Sequence, residues 1–241
     1  IFVVDREARY LRIAPTNPSG LVLAPEELLG KRMYDVFPEE MYTLFSEAIA
    51  KSLDTEETVN IEYPVEIRGK ESWFYASLSK LGENQVYWIA RDITERKQAE
   101  EQLIRLSAAI EQSPEAIVIT NTDGEIQYIN PAFTVNTGYT AEEALGQNPR
   151  ILKSEEQPPA FYAEMWEALT SGKIWEGRIT NQRKDGTLFT EEATISPVRD
   201  INGNTVNYVA VKRDISGELV QEEELRQAQK MEAVGELAGG V

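Results

Sequence analysis

The sequence predicts an α+β fold class: two similar small domains, each a five-stranded antiparallel sheet with short helices on one face. The 241 residues, 41% of them hydrophobic, supply enough apolar material for two cores, since one domain takes about 100 to 200 residues. The chain also repeats itself. VYWIARDIT and NYVAVKRDIS share an Arg-Asp-Ile step, and its aspartates, Asp92 and Asp214, lie 122 residues apart.

Two further pairs of matching segments support a duplication. EELLGK around Gly30 matches EEALGQ around Gly146, and Asp5 in the opening segment matches Asp123, with separations of 116 and 118 residues. Nearly equal separations are typical of a repeated domain. The first copy differs most, because it lacks an opening helix and is rich in proline and small residues from Arg12 to Pro25.

The order of elements is clearest in the second copy. AIVIT and EIQYI are short β-rich runs around the turn at residues 121–124, which predicts a hairpin. Thr140 precedes AEEAL as a helix N-cap. An amphipathic helix ending at Gly172 is predicted by apolar residues spaced by four: Phe161, Met165 and Leu169. Three strands follow, IWEGRITNQR, TLFTEEATISPV and TVNYVAVKRDI, and they complete an antiparallel sheet.

A charged segment that is typical of a helix follows each copy. The first begins at Thr94 and carries a heptad seam: Ala99, Leu103, Leu106 and Ile110. Such a seam predicts a parallel coiled coil and a homodimer, and the alternative is a lone linker helix folded back on its own domain. The second runs from Gly217 to Val241. Its seam consists of Met231, Val234, Ala238 and Val241, and the spacing breaks where the seam is extended back toward Leu225.

Composition excludes several classes of function. The formal net charge of −17 makes nucleic acid a poor partner, because phosphate binding needs a concentrated basic face. The chain contains no cysteine and no histidine, so it has no disulfide, no thiolate or imidazole metal ligand and no histidine-based catalytic triad. We therefore expect no metal site and no catalytic residues in this chain.

The same composition gives an expectation about location. No apolar run approaches the roughly 20 residues that span a bilayer, so we expect no membrane contact. Absence of cysteine fits the cytoplasm. The chain opens on IFVVD without a basic and apolar leader, which suggests a piece cut from a longer protein.

Alternation along the last two strands predicts which side chains face the core. Phe189, Glu191, Ala193 and Ile195 share the more apolar face of one strand, and Tyr208, Ala210 and Lys212 share a face of the next. Glu191 is the polar exception, and an unpaired buried carboxylate costs several kcal/mol. Lys212 is its candidate partner. The alternative is a one-residue register slip that turns Glu191 to solvent.

The preceding strand, WEGRITNQR, places Trp175, Gly177, Ile179 and Asn181 on one face. The amide of Asn181 can donate and accept hydrogen bonds toward a planar heterocycle with alternating carbonyl and N–H groups. A tryptophan can pack on the rings of such a ligand. These residue types predict a cavity for a flat, polar-edged ligand.

With these elements and the RDIT and RDIS motifs, the chain resembles a tandem pair of PAS domains that feed bacterial sensor histidine kinases. The resemblance covers nearly the whole chain. It implies a first PAS domain at residues 1–93, a linker helix at 94–113, a second PAS domain at 114–216 and an exit helix at 217–241. The implied role is sensory signal transduction.

The final segment, QKMEAVGELAGGV, resembles the start of the histidine-kinase dimerisation helix, just before the phosphoacceptor histidine. The resemblance implies downstream kinase domains in the full-length protein. Because this chain carries neither that histidine nor an ATP-binding domain, we expect the piece itself not to be an enzyme.

The second copy also resembles the flavin-binding PAS domains of redox sensors that control nitrogen fixation and methane oxidation, as well as light-sensing flavin PAS domains. The shared string is WEG, Asn181 and RKDG. The resemblance implies bound FAD sensing redox state or oxygen, with Asn181 on the isoalloxazine edge. The other candidate cofactor-binding residues are Asn148, Arg150, Trp175, Phe189, Glu191, Tyr208 and Lys212. Pro149 stands where the light sensors need a cysteine, which excludes adduct photochemistry.

The first copy gives weaker signals for a ligand. Its strands contain Trp73, Tyr75 and Trp88, which are typical of a core, and Pro64 is expected to interrupt the first of them. No amide occupies the matching inward place, so we expect no tightly held cofactor there. The alternative function is a cofactor-free or metabolite-binding PAS pair that dimerises and transmits a signal.

Overall fold

The computed structural model of the protein describes residues 1–14 and 20–238, with side chains described as far as Met231. The chain divides into two compact units, Ile1–Ile104 and Arg105–Val241. The first unit contains five strands: β1 (Phe2–Asp5), β2 (Tyr10–Ile13), β3 (Val59–Ile67), β4 (Lys70–Gly82) and β5 (Gln85–Asp92). Its helices are α1 (Pro25–Leu28), α2 (Glu39–Thr55) and the first part of α3 (Thr94–Glu111).

The second unit repeats this order of elements, with one additional short helix after its first two strands among the described residues. Its strands are β6 (Ala116–Thr120), β7 (Ile126–Ile129), β8 (Trp175–Gln182), β9 (Leu188–Arg199) and β10 (Thr205–Asp214). Its helices are α4 (Pro131–Thr137), α5 (Ala141–Ala144), α6 (Pro159–Thr170) and α7 (Ser216–Ala238), with a 3-10 turn at Pro149–Leu152. The strand orders, β2-β1-β5-β4-β3 and β7-β6-β10-β9-β8, are equivalent and antiparallel throughout. The predicted fold class is confirmed.

Local signals in the sequence explain the helices of the second unit. Thr140 caps α5, as predicted: its hydroxyl accepts from Glu143 N, and the Glu143 carboxylate accepts from Thr140 N. Helix α6 buries Met165 and Leu169 against the sheet, and the chain turns at Gly172, whose φ is +79°. A left-handed residue after the last turn is the usual place for glycine.

The duplication is visible in backbone geometry. Gly30 and Gly146 follow equivalent four-residue helices, have φ of +79° and +77°, and donate to Tyr10 O and Ile126 O at 2.8 Å. The separation of 116 residues therefore relates structurally equivalent turns.

The pairing of Asp5 with Asp123 is wrong by two residues. The Asp5 carboxylate accepts from the N–H groups two and four residues later, and in the second unit Asn121 does the same. Asp5 thus corresponds to Asn121, at the same separation of 116 residues as the two glycines. Aspartate and asparagine are interchangeable here, because the side chain of either residue offers the oxygen that accepts the two N–H groups of this turn.

Proline at position 64 does not interrupt its strand, contrary to expectation. Strand β3 continues from Val59 to Ile67, and Pro64 lies opposite Trp73 in the ladder with β4. Strand β3 is the edge of its sheet. Proline is tolerated there because an edge strand has one side on which no ladder hydrogen bond is needed.

A hydrogen-bonded joint fixes the start of α3 to the first sheet. Asp92 accepts from the N–H and hydroxyl of Thr94, and that hydroxyl in turn accepts from Trp73 N at 2.9 Å. The helix is held further by Glu62, whose carboxylate lies 2.5 Å from Arg96 and 2.6 Å from Lys97. These hydrogen bonds and ion pairs therefore fix the first turn of α3 to the first domain.

The same joint recurs at α7, which is why the RDI steps match. Asp214 accepts from Ser216 N, the Ser216 hydroxyl accepts from Thr190 N, and Thr190 O accepts from Ile215 N, each at 2.9 Å. Arg183 adds an ion pair to Asp214 at 2.5 Å. The strand that leaves the second domain is thus bonded to the strand beside it at the point where the exit helix begins.

Most of the predicted seam of α3 is exposed, and its last residue, Ile110, is half-buried. Leu103 is 67% and Leu106 55% exposed, and none of the residues of α3 is buried. Leu103 and Leu106 therefore do not pack into the core of either domain, and the choice between a coiled coil and a lone linker helix stays a prediction. In α7, Met231 is exposed, whereas the side chains of Val234 and Ala238 and all of Val241 lie outside the described residues. None of the helices formed by the described residues has the length and apolar content to cross a bilayer.

Replacing Asp214 with Asn should destabilise the second domain in a pH-dependent way. Partial burial raises the pKa of the Asp214 carboxyl, but the hydrogen bonds from Ser216 and Arg183 outweigh this and hold the pKa below its usual value. Its stabilising effect is therefore present above about pH 4, the usual aspartate pKa, and is lost as the pH falls through the lower native value.

We expect Asp214→Asn to lower the free energy of unfolding by about 1–3 kcal/mol at pH 7, with the difference from wild type shrinking below pH 4. Urea denaturation followed through amide signals of β9 and β10 measures it. Asp123→Asn, in an exposed turn, is the matched control. Equal unfolding free energies for wild type and Asp214→Asn at pH 7 would contradict the argument.

Candidate functional site

The second unit encloses a cavity of about 360 Å³ between the inner face of its sheet and its helices. Small-molecule sites commonly have volumes of about 300 to 1,000 Å³. Apolar side chains form most of its wall: Val118, Met165, Trp166, Leu169, Ile179 and Ile195. Polar residues are gathered around the rest: Asn148, Arg150, Lys153, Tyr162, Asn181, Tyr208 and Lys212.

A buried carboxylate organises the sheet side of this cavity. Glu191 Oε1 accepts from Asn181 Nδ2 at 2.7 Å and from Lys212 Nζ at 2.5 Å. The three residues are only 3%, 5% and 6% exposed. Burial of a charge is expensive unless it is paired and hydrogen-bonded, and both conditions are met here. The predicted partnership of Glu191 with Lys212 is confirmed.

The predicted strand register is also confirmed. Phe189, Glu191 and Ala193 are buried, whereas Glu192 between them is exposed. Tyr208, Ala210 and Lys212 are likewise buried on one face of β10. The alternative register, which would turn Glu191 to solvent, is wrong.

The helix side contributes a tyrosine that the sequence analysis missed. Tyr162, on α6, lines the cavity, and its buried hydroxyl has no hydrogen-bond partner among the described residues. Burial, and secondarily the charge of Glu191, raise the pKa of Tyr162. Lys153 lies over its ring at 4.9 Å. A buried hydroxyl without a partner in a polar cavity wall is a group that a ligand or water can satisfy.

Two predicted residues occupy the 3-10 segment at the cavity wall. Asn148 caps Pro149–Leu152, and its Oδ1 accepts from both the N and the Nε of Arg150 at 3.1 Å. Gly124 lies against this cap, because an added Cβ would be 2.7 Å from Asn148 Nδ2. Its φ of +80° also favours glycine. The turn and the cap are therefore packed closely at this end of the cavity.

Trp175 and Phe189 do not belong to the cavity wall. The Trp175 ring packs over Gly177, where a Cβ would come within 2.6 Å of it, and meets Phe161 edge to face at 5.6 Å. Phe189 lies under the guanidinium of Arg183, 4.3 Å from its ring centre. The prediction that Trp175 packs on a ligand is thus wrong, because the gap left by Gly177 is filled by the tryptophan itself.

The structure therefore brings together five of the predicted residues in the wall and one behind it. Asn148, Arg150, Asn181, Tyr208 and Lys212 line the cavity, and Glu191 bonds two of them. The missed residues are Lys153, Tyr162 and Trp166. The spacing in α6 marks Phe161, Met165 and Leu169 as its inner face, and Tyr162 and Trp166 flank that stripe, which is the signal that could have found them.

The first unit has an apolar set at the equivalent positions. Phe74 lies opposite Asp92 in the ladder, as Glu191 lies opposite Asp214, and Ala90 precedes Asp92 by two residues, as Lys212 precedes Asp214. By the same ladders Val65 corresponds to Asn181. Val65 confirms that no amide occupies the matching inward place in the first copy.

Aromatic side chains fill the interior of the first unit. Phe45 meets Tyr63 at 4.7 Å and Trp88 at 5.0 Å in edge-to-face contacts. The space that remains is about 50 Å³, compared with about 360 Å³ in the second unit. The two copies share a fold but differ in the room and polarity of the interior.

Comparison with known proteins agrees with this duplication. A family model described as PAS domain matches residues 114–217, and another described as PAS fold matches residues 1–98. The chain is 41% identical over 117 residues to the nitrogen fixation regulatory protein of Klebsiella oxytoca, which covers 48% of this chain and 24% of that protein. It is 34% identical over 126 residues to the blue-light-activated histidine kinase of Brucella ovis, covering 51% and 26% respectively.

A solved structure of the LOV domain from the Erythrobacter litoralis EL346 blue-light activated histidine kinase matches 44% of this chain and 99% of that one. Its identity is 26% and its TM-score 0.41. The matched segments span about a quarter of the length of the two curated relatives. From the two family matches and the two equivalent sheets, the chain belongs to the PAS family and carries two PAS sensory domains, one in each of its halves.

Proposed function

We propose that the second PAS domain binds a flavin, FAD, and serves as the redox or oxygen sensor of a histidine kinase. The observation that carries the proposal is the cavity of about 360 Å³ with a buried amide, carboxylate and ammonium at one wall. When bound, a flavin supplies reversible electron transfer within a planar ring that has a polar edge. Apolar walls with a few convergent polar groups suit such a ligand.

The residues present fit this group. Asn181 and Lys212 would face its polar edge, and Arg150 and Lys153 would offer cationic groups to the phosphates of the nucleotide. The partnerless hydroxyl of Tyr162 would gain a hydrogen bond. The sequence resemblance to flavin-binding sensors of nitrogen fixation supports the assignment, and a relative that is 41% identical over 117 residues is a nitrogen fixation regulatory protein.

The proposed response of the chain starts at Asn181 and Glu191, whose hydrogen bonds would change with the redox state of the ligand. Glu191 faces Asp214 in the ladder of β9 and β10, and Thr190, beside it, holds Ser216 at the start of α7. A shift of β9 would therefore move the joint of the exit helix. Signalling of this kind requires that the two ligand states favour different helix arrangements.

The first domain, the helices and the downstream domains have further roles in the proposed sensor. We propose that the first PAS domain holds no cofactor, because its interior is filled by aromatic side chains. The chain would dimerise through the exposed seam of α3 and through α7, in the cytoplasm. Its outputs would be kinase domains, as the sequence of the last helix suggests, so that catalysis lies outside this chain.

A second candidate function is a cofactor-free PAS pair that dimerises and transmits strain. The observation that favours it is again the exposed seam, since Leu103 and Leu106 offer apolar surface whether or not a ligand is bound. The two candidates differ in what the cavity holds. The visible spectrum separates them.

The purified protein should be yellow and should show the visible absorption of a flavin. We expect Asn181→Ala to lose most of that absorption, because it removes the amide and leaves Glu191 one donor short in a buried site. Asn60→Ala, an exposed amide in an edge strand of the other sheet, is the matched control. A colourless protein that takes up no added FAD would overturn the flavin assignment in favour of the second candidate.

Replacing Leu103 and Leu106 together with Glu should strongly weaken the dimer, because it removes one of its two proposed contacts. A coiled coil cannot bury two carboxylates in its seam without a large cost. Sedimentation equilibrium measures the change, and Leu81→Glu, an exposed leucine on β4, controls for the added charge. A dimer of unchanged affinity in the double variant would exclude this seam as the interface.

A further inference from the structure

We propose that Glu191 is a positioning residue that fixes the amide of Asn181 with its oxygen toward the cavity. The cavity then selects ligands that present an N–H beside a carbonyl, which is the edge of a lactam or imide ring. The inference deepens the flavin proposal and rests on the same cavity, but its central claim concerns side chains that are present without any ligand.

The carboxylate of Glu191 fixes the orientation of the Asn181 amide. An ionised carboxylate can only accept hydrogen bonds, whereas an amide can donate from nitrogen or accept at oxygen. Glu191 Oε1 lies 2.7 Å from Asn181 Nδ2. Turning the amide over would set its oxygen against the carboxylate, so the orientation with nitrogen toward Glu191 is strongly favoured.

The carbonyl oxygen of Asn181 remains available to a ligand. Its side chain lines the cavity, and within the described part of the chain no donor bonds to its Oδ1. The nitrogen is taken by Glu191, so the carbonyl oxygen is the group left to interact with a ligand. Asn181 therefore offers an acceptor to the cavity.

Lys212 places a hydrogen-bond donor beside this acceptor. Lys212 also lines the cavity, and its Nζ bonds the same Glu191 oxygen at 2.5 Å. An ammonium has three donors, and this bond uses one. An acceptor on Asn181 and a donor on Lys212, both arranged around one carboxylate oxygen, complement a ligand edge with adjacent N–H and C=O groups.

The first domain shows that this arrangement is not a requirement of the fold. At the three equivalent positions it carries Val65, Phe74 and Ala90, within an interior that leaves about 50 Å³. The same sheet thus folds around an apolar trio. In the second domain the more costly polar trio has a role that packing alone does not explain.

The test compares matched pairs of substitutions in the full chain. The inner-pair variant, Glu191→Gln with Lys212→Met, keeps size but removes the acceptor-only group, so that the amides at 191 and 181 can turn over together. The outer-pair variant, Glu192→Gln with Arg213→Met, makes the same changes at an exposed ion pair one residue along the same strands. Glu191→Met with Lys212→Met replaces the inner pair by apolar groups if the first variant folds poorly.

The first measurement needs no ligand. We expect the Asn181 side-chain amide protons to exchange slowly with solvent in NMR spectra of the wild type and the outer-pair variant. In the inner-pair variants they should exchange markedly faster, because the fixed hydrogen bond to a carboxylate is gone. Unchanged exchange in the inner-pair variants would overturn the positioning role.

The second measurement uses FAD and its N3-methyl analogue, in which the ring N–H is blocked. We expect the wild type and the outer-pair variant to bind FAD about tenfold or more tightly than the analogue, because a buried acceptor is left unpaired. The inner-pair variants should bind the two within about threefold of each other. Equal binding by the wild type would overturn the selectivity.

The two proposals fail differently. If no form of the protein takes up FAD while the amide exchange changes as expected, the flavin assignment falls and the positioning role of Glu191 stands. If FAD binds and the inner-pair variants discriminate as well as the wild type, the flavin assignment stands and the positioning role falls.

Discussion

The buried carboxylate of Glu191 is the constraint on which the second domain depends. A charge that is 3% exposed demands compensation, and Lys212 and Asn181 provide it from the two strands that flank β9. This pairing also determines which polar groups face the cavity. Once the ammonium and the amide are committed to Glu191, their remaining polar groups face a cavity that the surrounding apolar residues keep open. The chemistry of the sheet side of the cavity is thus set by one side chain.

That side chain also lies where structure can carry a signal. Glu191 is the ladder partner of Asp214, and its neighbour Thr190 bonds both Ile215 and Ser216. The residue that bonds the wall groups Asn181 and Lys212 and the residue that bonds the start of α7 are therefore consecutive in β9. In a period-two strand, one of them faces the core and the other the opposite surface. In the proposed response, the path from a ligand to the exit helix therefore runs through neighbouring residues of β9.

Sequence periodicity was sufficient for much of this structure. Alternation placed Glu191 inward and identified Lys212 as its partner, because burial leaves a carboxylate few alternatives. It failed for Trp175, since alternation gives the face of a side chain but not the direction in which its ring folds over a neighbouring glycine. It also missed Tyr162, which depends on how α6 packs against the sheet. The mismatch of Asp5 and Asp123 arose because Asp and Asn serve the same turn.

The two domains share one attachment for their outgoing helices but differ in their interiors. Both domains attach their outgoing helix by the same aspartate and hydroxyl joint. In the first domain Glu62 adds ion pairs to the first turn of α3, and the interior behind the joint is apolar and nearly full. In the second, Arg213 forms an ion pair with Glu218 in the first turn of α7, Arg183 forms one with Asp214, and the interior is open and carries polar groups. Ion pairs thus reinforce the first turn of both helices, but only the second joint lies next to a buried ion pair among the described residues. The proposed response to a ligand is therefore assigned to the second joint, where the strand that carries Glu191 also bonds the start of α7.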